Sequence, residues 1–124
     1  MNRQIDIRYL RRPLSSAGER PVRAVHFTDL HFKRRAGVRE RALERIEDTF
    51  RPDLIFYTGD TIGAPHRWAE VLAWAPALSF TAPAFAVPGN WDERWTEGRE
   101  GFLAFCEAAG MTPLINRNAR LELN

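Results

Sequence analysis

An α/β fold with a mostly parallel sheet and flanking helices is what the order of apolar segments predicts. Three short apolar runs, Val22 to Thr28 (VRAVHFT), Leu54 to Thr58 (LIFYT) and Ala84 to Val87 (AFAV), alternate with segments of helical periodicity. Each run also ends in side chains able to hold a metal ion: Asp29 and His31 after the first, Asp60 after the second, Asn90 after the third.

Taken in order, Ile5 to Leu10 reads as a first strand, and the polar RRPLSSAGERP that follows is a connection rather than a domain linker. The three apolar runs are rich in β-branched and aromatic residues, as buried parallel strands are. Between the first two, Val38, Ala42, Leu43, Ile46 and Phe50 recur at helical spacing and predict a helix that packs one side on the sheet. Arg51 and Pro52 end it. A second helix is expected over Arg67 to Leu78, with Trp68, Val71, Leu72 and Ala75 as its apolar stripe and Pro76 as its terminator or kink. A third is expected over Arg99 to Ala109, with Phe102, Leu103, Phe105 and Cys106 on its packing face and Gly110 placed to close it. MTPLINRNARLELN reads as a short strand, a turn and the start of another strand in LEL. Strand and helix alternate, so the crossovers should be right-handed and the sheet parallel.

With 124 residues and 44% hydrophobic content, the chain is expected to form one globular domain. Lys33 is the only lysine, so the basic side is almost wholly arginine, which fits phosphate with a planar fork but also serves solvated surfaces. Cys106 is the single cysteine and lies in an apolar helical setting, which excludes an internal disulfide and points to a buried thiol rather than a nucleophile. No apolar stretch approaches the ~20 residues of a membrane span, and the first residues are too charged for a signal peptide. A cytoplasmic location is expected. Arg3, Arg8, Arg11, Arg12, Arg20 and Arg23 against Asp6 and Glu19 leave room for peripheral contact with an anionic membrane.

The spacing of the polar residues carries the chemistry. Asp29 and Asp60 are 31 positions apart and Asp60 and Asn90 are 30 apart, each about one βαβ unit of roughly 30 residues. Loops at the carboxyl ends of neighbouring parallel strands gather along one sheet edge, so the four side chains are expected to meet. Two carboxylates, an imidazole and an amide oxygen suit divalent manganese, iron or zinc better than soft ions. Gly59 and Gly89 stand before the ligands and let the backbone turn sharply toward an ion or phosphate. Asp60, between the other loops, is the natural bridge in a two-metal site, an arrangement suited to phosphoester hydrolysis.

TDLH, TGDT and GNWD resemble the first three blocks of the calcineurin-like metallophosphoesterases, DxH, GDxxD and GNH followed by Asp or Glu. The likeness spans roughly residues 22 to 118 and includes the tail TPLINRNARLEL. It implies the first half of a four-layer α/β/β/α sandwich and a two-metal phosphohydrolase, manganese favoured, in which Asp29 and His31 hold one ion, Asp60 bridges, and Asn90 holds the second and touches substrate phosphate. Asn90 and Asp92 are then the catalytic candidates, Asn90 and Trp91 the substrate-binding ones. The substrate class implied is a phosphodiester or pyrophosphate, on a small molecule or lipid-linked.

Two departures stand out. Trp91 replaces the histidine of the third block and Gly63 the closing aspartate of the second, which together remove a device worth about 10²- to 10⁴-fold in general acid catalysis. The later histidine blocks of the family are also missing, since His26, His31 and His66 are the only histidines. Residues 1–124 are therefore expected to be the N-terminal half of a longer enzyme, with little or no activity alone. A degenerate module of the same fold, binding a protein or a membrane surface, is the rival reading. Mixed basic and acidic residues argue against a specific nucleic-acid partner. His26 is expected to be a buried, hydrogen-bonded histidine and His66 a surface residue near a helix start. Lys33 to Arg35 could greet an anionic substrate or form a solvated turn. Packing is expected for Trp68 and Trp74, and a place lining the site for Trp91.

Overall fold

Four parallel strands, β1 (Ala24–Phe27), β2 (Leu54–Tyr57), β3 (Ala84–Ala86) and β4 (Thr112–Pro113), lie side by side in chain order. They belong to a computed structural model that describes residues 8–12, 20–33, 35–63, 68–94 and 98–123. Ala24 pairs with Leu54, Ile55 with Ala84 and Phe85 with Thr112. Each strand is laid beside its predecessor in the same direction, so right-handed crossovers return on the same side of the sheet. The side-chain alternation agrees. Ile55, Tyr57, Ala84 and Ala86 are buried on the helix-covered face, with Val25 and Phe27 packed partly buried beside them, whereas Ala24, His26, Phe56 and Thr58 are exposed on the other.

The helices are α1 (Val38–Glu44), α2 (Ile46–Phe50), α3 (Trp68–Trp74), α4 (Asn90–Arg94) and α5 (Gly98–Ala109), with a 3₁₀ turn at Ala75–Ala77. The helix expected from Val38 to Phe50 is broken at Arg45, whose amide bonds back to Ala42 and Leu43. The break rotates the apolar stripe. Ile46 is buried and Leu43 and Phe50 pack against the core, but Val38 and Ala42 face solvent. Arg51 ends α2 in the left-handed region. Pro76 acts as expected, converting the end of α3 into the 3₁₀ turn. Trp74 donates its indole N–H to Glu44 at 2.8 Å and stacks on Phe32 at 5.6 Å, fastening α3 to α1 and to the loop after β1. Phe102, Phe105, Cys106 and Ala109 of α5 are buried, while Leu103, expected with them, is exposed. Burial pushes the Cys106 thiol up to about 12, which suits an inert core residue. Gly110 closes α5 at φ 81°, where an added Cβ would meet the Phe80 carbonyl at 3.0 Å.

Residues 5–7 of the expected first strand lie outside the described residues, and 8–10 carry no strand. The LEL segment at 121–123 is exposed and forms no strand either. Among the described residues no helix is long and apolar enough to cross a membrane. The molecule is an α/β unit, a four-stranded parallel sheet with flanking helices, as half of a metallophosphoesterase sandwich would be.

Candidate metal centre

Beyond β1 the chain keeps a two-residue alternation. Leu30 and Phe32 are buried anchors, and the polar residues that alternate with them, Asp29 and His31, are turned outward. The loop after β2 runs alongside, tied by amides of Asp29 to the Gly59 carbonyl, His31 to Asp60 and Phe32 to Thr61, at 2.8–2.9 Å. An isolated parallel bridge between Phe32 and Ile62 continues the pairing past the loops. The polar residues are thus fixed to a stitched backbone rather than carried on a free loop.

Asp29, His31 and Asp60 each offer a ligand atom, and these atoms all lie within 4.8 Å of one another. The His31 Nε2 to Asp29 Oδ1 distance is 3.4 Å. Ligand atoms sharing one ion at bonds of ~2 Å stand ~3–4 Å apart, so small side-chain rotations close this set on a cation. Two carboxylates and an imidazole fit a borderline or hard divalent ion. All three residues have left-handed backbones, with φ of 57°, 43° and 59°. Such a conformation costs a non-glycine residue on the order of 1 kcal/mol and persists where surrounding contacts hold it. The Asp29 carboxyl is held below its ordinary value, chiefly by the Thr28 hydroxyl acting against the cost of burial, with lesser contributions from His31 and Asp60.

Asn90 opens α4 and is exposed beside this cluster's loops. Trp91, next in the chain, donates its backbone N–H to Asp60 Oδ1 at 3.0 Å. Its ring stands edge-on to His31 at 6.1 Å between centroids, and the Arg94 guanidinium lies 5.2 Å from the ring centre. Trp91 thus stands beside His31 and Asp60.

Asp92 differs from its expectation as a catalytic residue. Its side chain is fully buried and accepts three backbone N–H groups, from Asp60 and Thr61 at 2.8 Å each and from Gly89 at 3.0 Å. A buried carboxylate satisfied in this way faces no substrate, and it fastens the second ligand loop to the third. Neither α4 nor this role of Asp92 was among the elements expected from the sequence. The signal was present: Gly89 and Asp92 have the three-residue spacing of a helix-start box, as do Gly37 and Glu40, where the Gly37 amide donates to Glu40 at 3.0 Å.

The glycines before the ligands also have a reason different from close approach to an ion. Gly59 has φ 87°, and a Cβ there would lie 2.0 Å from the Gly89 nitrogen; one on Gly89 would lie 2.2 Å from Asp60 Oδ1. They let the two loops touch. Gly63, in place of the expected aspartate, is exposed, and a Cβ on it would meet the His31 carbonyl at 3.0 Å.

His26 is exposed rather than buried, with Nε2 2.8 Å from the Thr58 hydroxyl. His66, Arg34 and Trp95 lie outside the described residues, and Lys33 and Arg35 are exposed. Trp74 is buried in the core and Trp68 packs partly buried against it, as anticipated.

No match is found among curated proteins or among solved structures. The family model described as calcineurin-like phosphoesterase matches residues 22–119, which include every strand and every candidate ligand. With that span matched and with Asp29, His31 and Asp60 converging at the strand ends, the chain belongs to the calcineurin-like phosphoesterase family.

Proposed function

We propose that this chain carries the N-terminal donor set of a metal-dependent phosphohydrolase acting on a phosphodiester or pyrophosphate, on a small molecule or lipid-linked, through two divalent ions, manganese favoured. The convergence of Asp29, His31 and Asp60 within 4.8 Å is the observation that carries this reading. Asp29 and His31 would hold one ion, Asp60 would be shared between the two, and Asn90, at the start of α4, would supply an amide oxygen to the second ion and to substrate phosphate. Divalent ions in such a site polarise the phosphoryl oxygens and lower the pKa of water. The protein's own part is to fix its donors on stitched loops and to close one side of the site with Trp91.

Neither Trp91 nor Gly63 can hand a proton to a leaving group, so the reading favours substrates whose leaving group needs none. The same pair of residues motivates the alternative, an inactive module of this fold that binds a protein or a membrane surface. Calorimetry with manganese and a manganese-supplemented assay on bis-p-nitrophenyl phosphate separate the two. The expected result is metal binding that Asp60→Asn weakens at least tenfold, with slow turnover or none from residues 1–124. Absence of metal binding to the folded wild-type chain would favour the module, and turnover that survives Asp60→Asn would overturn the assignment of that residue.

A further inference from the structure

We infer that Asp92 is the positioning residue of the metal cluster, acting through Asp60 and coupling the loop after β2 to the loop after β3. The inference rests on the metal-site reading above but concerns a side chain that touches neither ion nor substrate.

The backbone of Asp60 is held at φ 59° from two directions. Its carbonyl accepts the His31 amide at 2.9 Å, and its own amide donates to Asp92 Oδ2 at 2.8 Å. Thr61 repeats the arrangement, with its carbonyl accepting from Phe32 and its amide donating to Asp92 Oδ1 at 2.8 Å. One face of the loop is therefore pinned by the chain that carries Asp29 and His31, and the other by a single carboxylate. Asp92 Oδ2 also takes the Gly89 amide at 3.0 Å, directly before Asn90. Trp91 closes the circuit by donating to Asp60 Oδ1. The backbone that aims Asp60 and the backbone that presents Asn90 thus share Asp92, fully buried, as a common anchor. A left-handed ligand backbone relaxes when such contacts are lost, and its carboxylate leaves the cluster with it.

An ordinary structural side chain in the same place would contribute to stability without selectively affecting metal. Tyr57→Phe is the control: it deletes the buried hydrogen bond from the Tyr57 hydroxyl to Thr61 Oγ1 at 2.8 Å, in the same loop, and leaves the Asp60 and Thr61 amides on Asp92. The test is a manganese titration by calorimetry on the 124-residue chain, with a cobalt absorption spectrum as a second readout of ligand geometry. Asp92→Asn, which sets an amide N–H₂ against backbone N–H donors, is expected to weaken manganese binding roughly 10- to 100-fold, the range usual for residues that orient metal ligands, and to shift the cobalt bands. Tyr57→Phe is expected to lower the melting temperature with metal affinity within about twofold. If Asp92→Asn does not fold, Asp92→Glu retains the charge while displacing it by one methylene, and the same loss of affinity is expected. A folded Asp92 variant that binds manganese like the wild type overturns the inference, and so does an equal loss of affinity in Tyr57→Phe. A wild-type chain that binds no manganese overturns the metal-site reading itself and this inference with it.

Discussion

At the scale of single residues, the site depends on what is missing at two positions. Gly59 and Gly89 leave space for the loops after β2 and β3 to meet, and a methyl on Gly89 would sit 2.2 Å from Asp60 Oδ1. Gly89→Ala should force the loops apart. Its expected cost is more than about 1 kcal/mol, read as a lower melting temperature, with weakened manganese binding because the displaced atom is a ligand candidate. Retention of both properties would show that the loops yield more easily than their packing implies. That Asp29, His31 and Asp60 would come together was legible in the sequence, because polar residues followed apolar runs at regular spacing. The burial of Asp92 was not, since a carboxylate that accepts three amides looks, in one dimension, the same as one that faces solvent.

Among the elements, the break of the first helical segment at Arg45 has a counterpart in the contact between Glu44 and Trp74. Glu44, the last residue of α1, accepts the indole N–H of α3 and also pairs with Arg41 at 2.7 Å. Its carboxyl is held below the usual value, chiefly by that indole hydrogen bond, with a further contribution from Arg41. The folded-state pKa is depressed, so the associated stability is fully present above the unfolded carboxylate value and lost as pH falls through the folded one. Glu44→Gln should therefore melt below the wild type at neutral pH, by roughly 1 kcal/mol, with the gap narrowing below about pH 4. Melting curves across pH 3 to 7 check this, and a gap independent of pH would refute it. The helix break itself had no sequence signal strong enough to find it. Val38, Ala42, Leu43, Ile46 and Phe50 fit one continuous stripe, and only packing against the sheet decides that Val38 and Ala42 turn away.

At the scale of the whole molecule, the sheet is two-faced. Ile55 is wholly buried against the helices, whereas its neighbour Phe56 is 40% exposed on the opposite face. Ile55→Ala is expected to cost about 2–5 kcal/mol, and Phe56→Ala distinctly less than the ~3–5 kcal/mol of a fully buried phenylalanine. Denaturant unfolding of both variants provides the comparison, and equal losses would mean that the face bearing Phe56 is as tightly packed as the core. Parallel sheets are ordinarily covered on both faces. The apolar composition of the strands predicted a parallel sheet without showing which face the helices cover, because LIFY is apolar on both sides.

The parallel sheet and the meeting of Asp29, His31 and Asp60 were legible in the sequence itself, because apolar runs and the βαβ repeat set which strand ends lie together. Tertiary structure alone decided that the backbones of Asp29, His31 and Asp60 are left-handed, that Gly59 and Gly89 serve contact between loops, and that Asp92 is an internal anchor. The physical reason is the same for each. These properties belong to segments 30 or so residues apart that touch at atomic distance, and no periodicity along the chain records whether their backbones or their side chains make the contact.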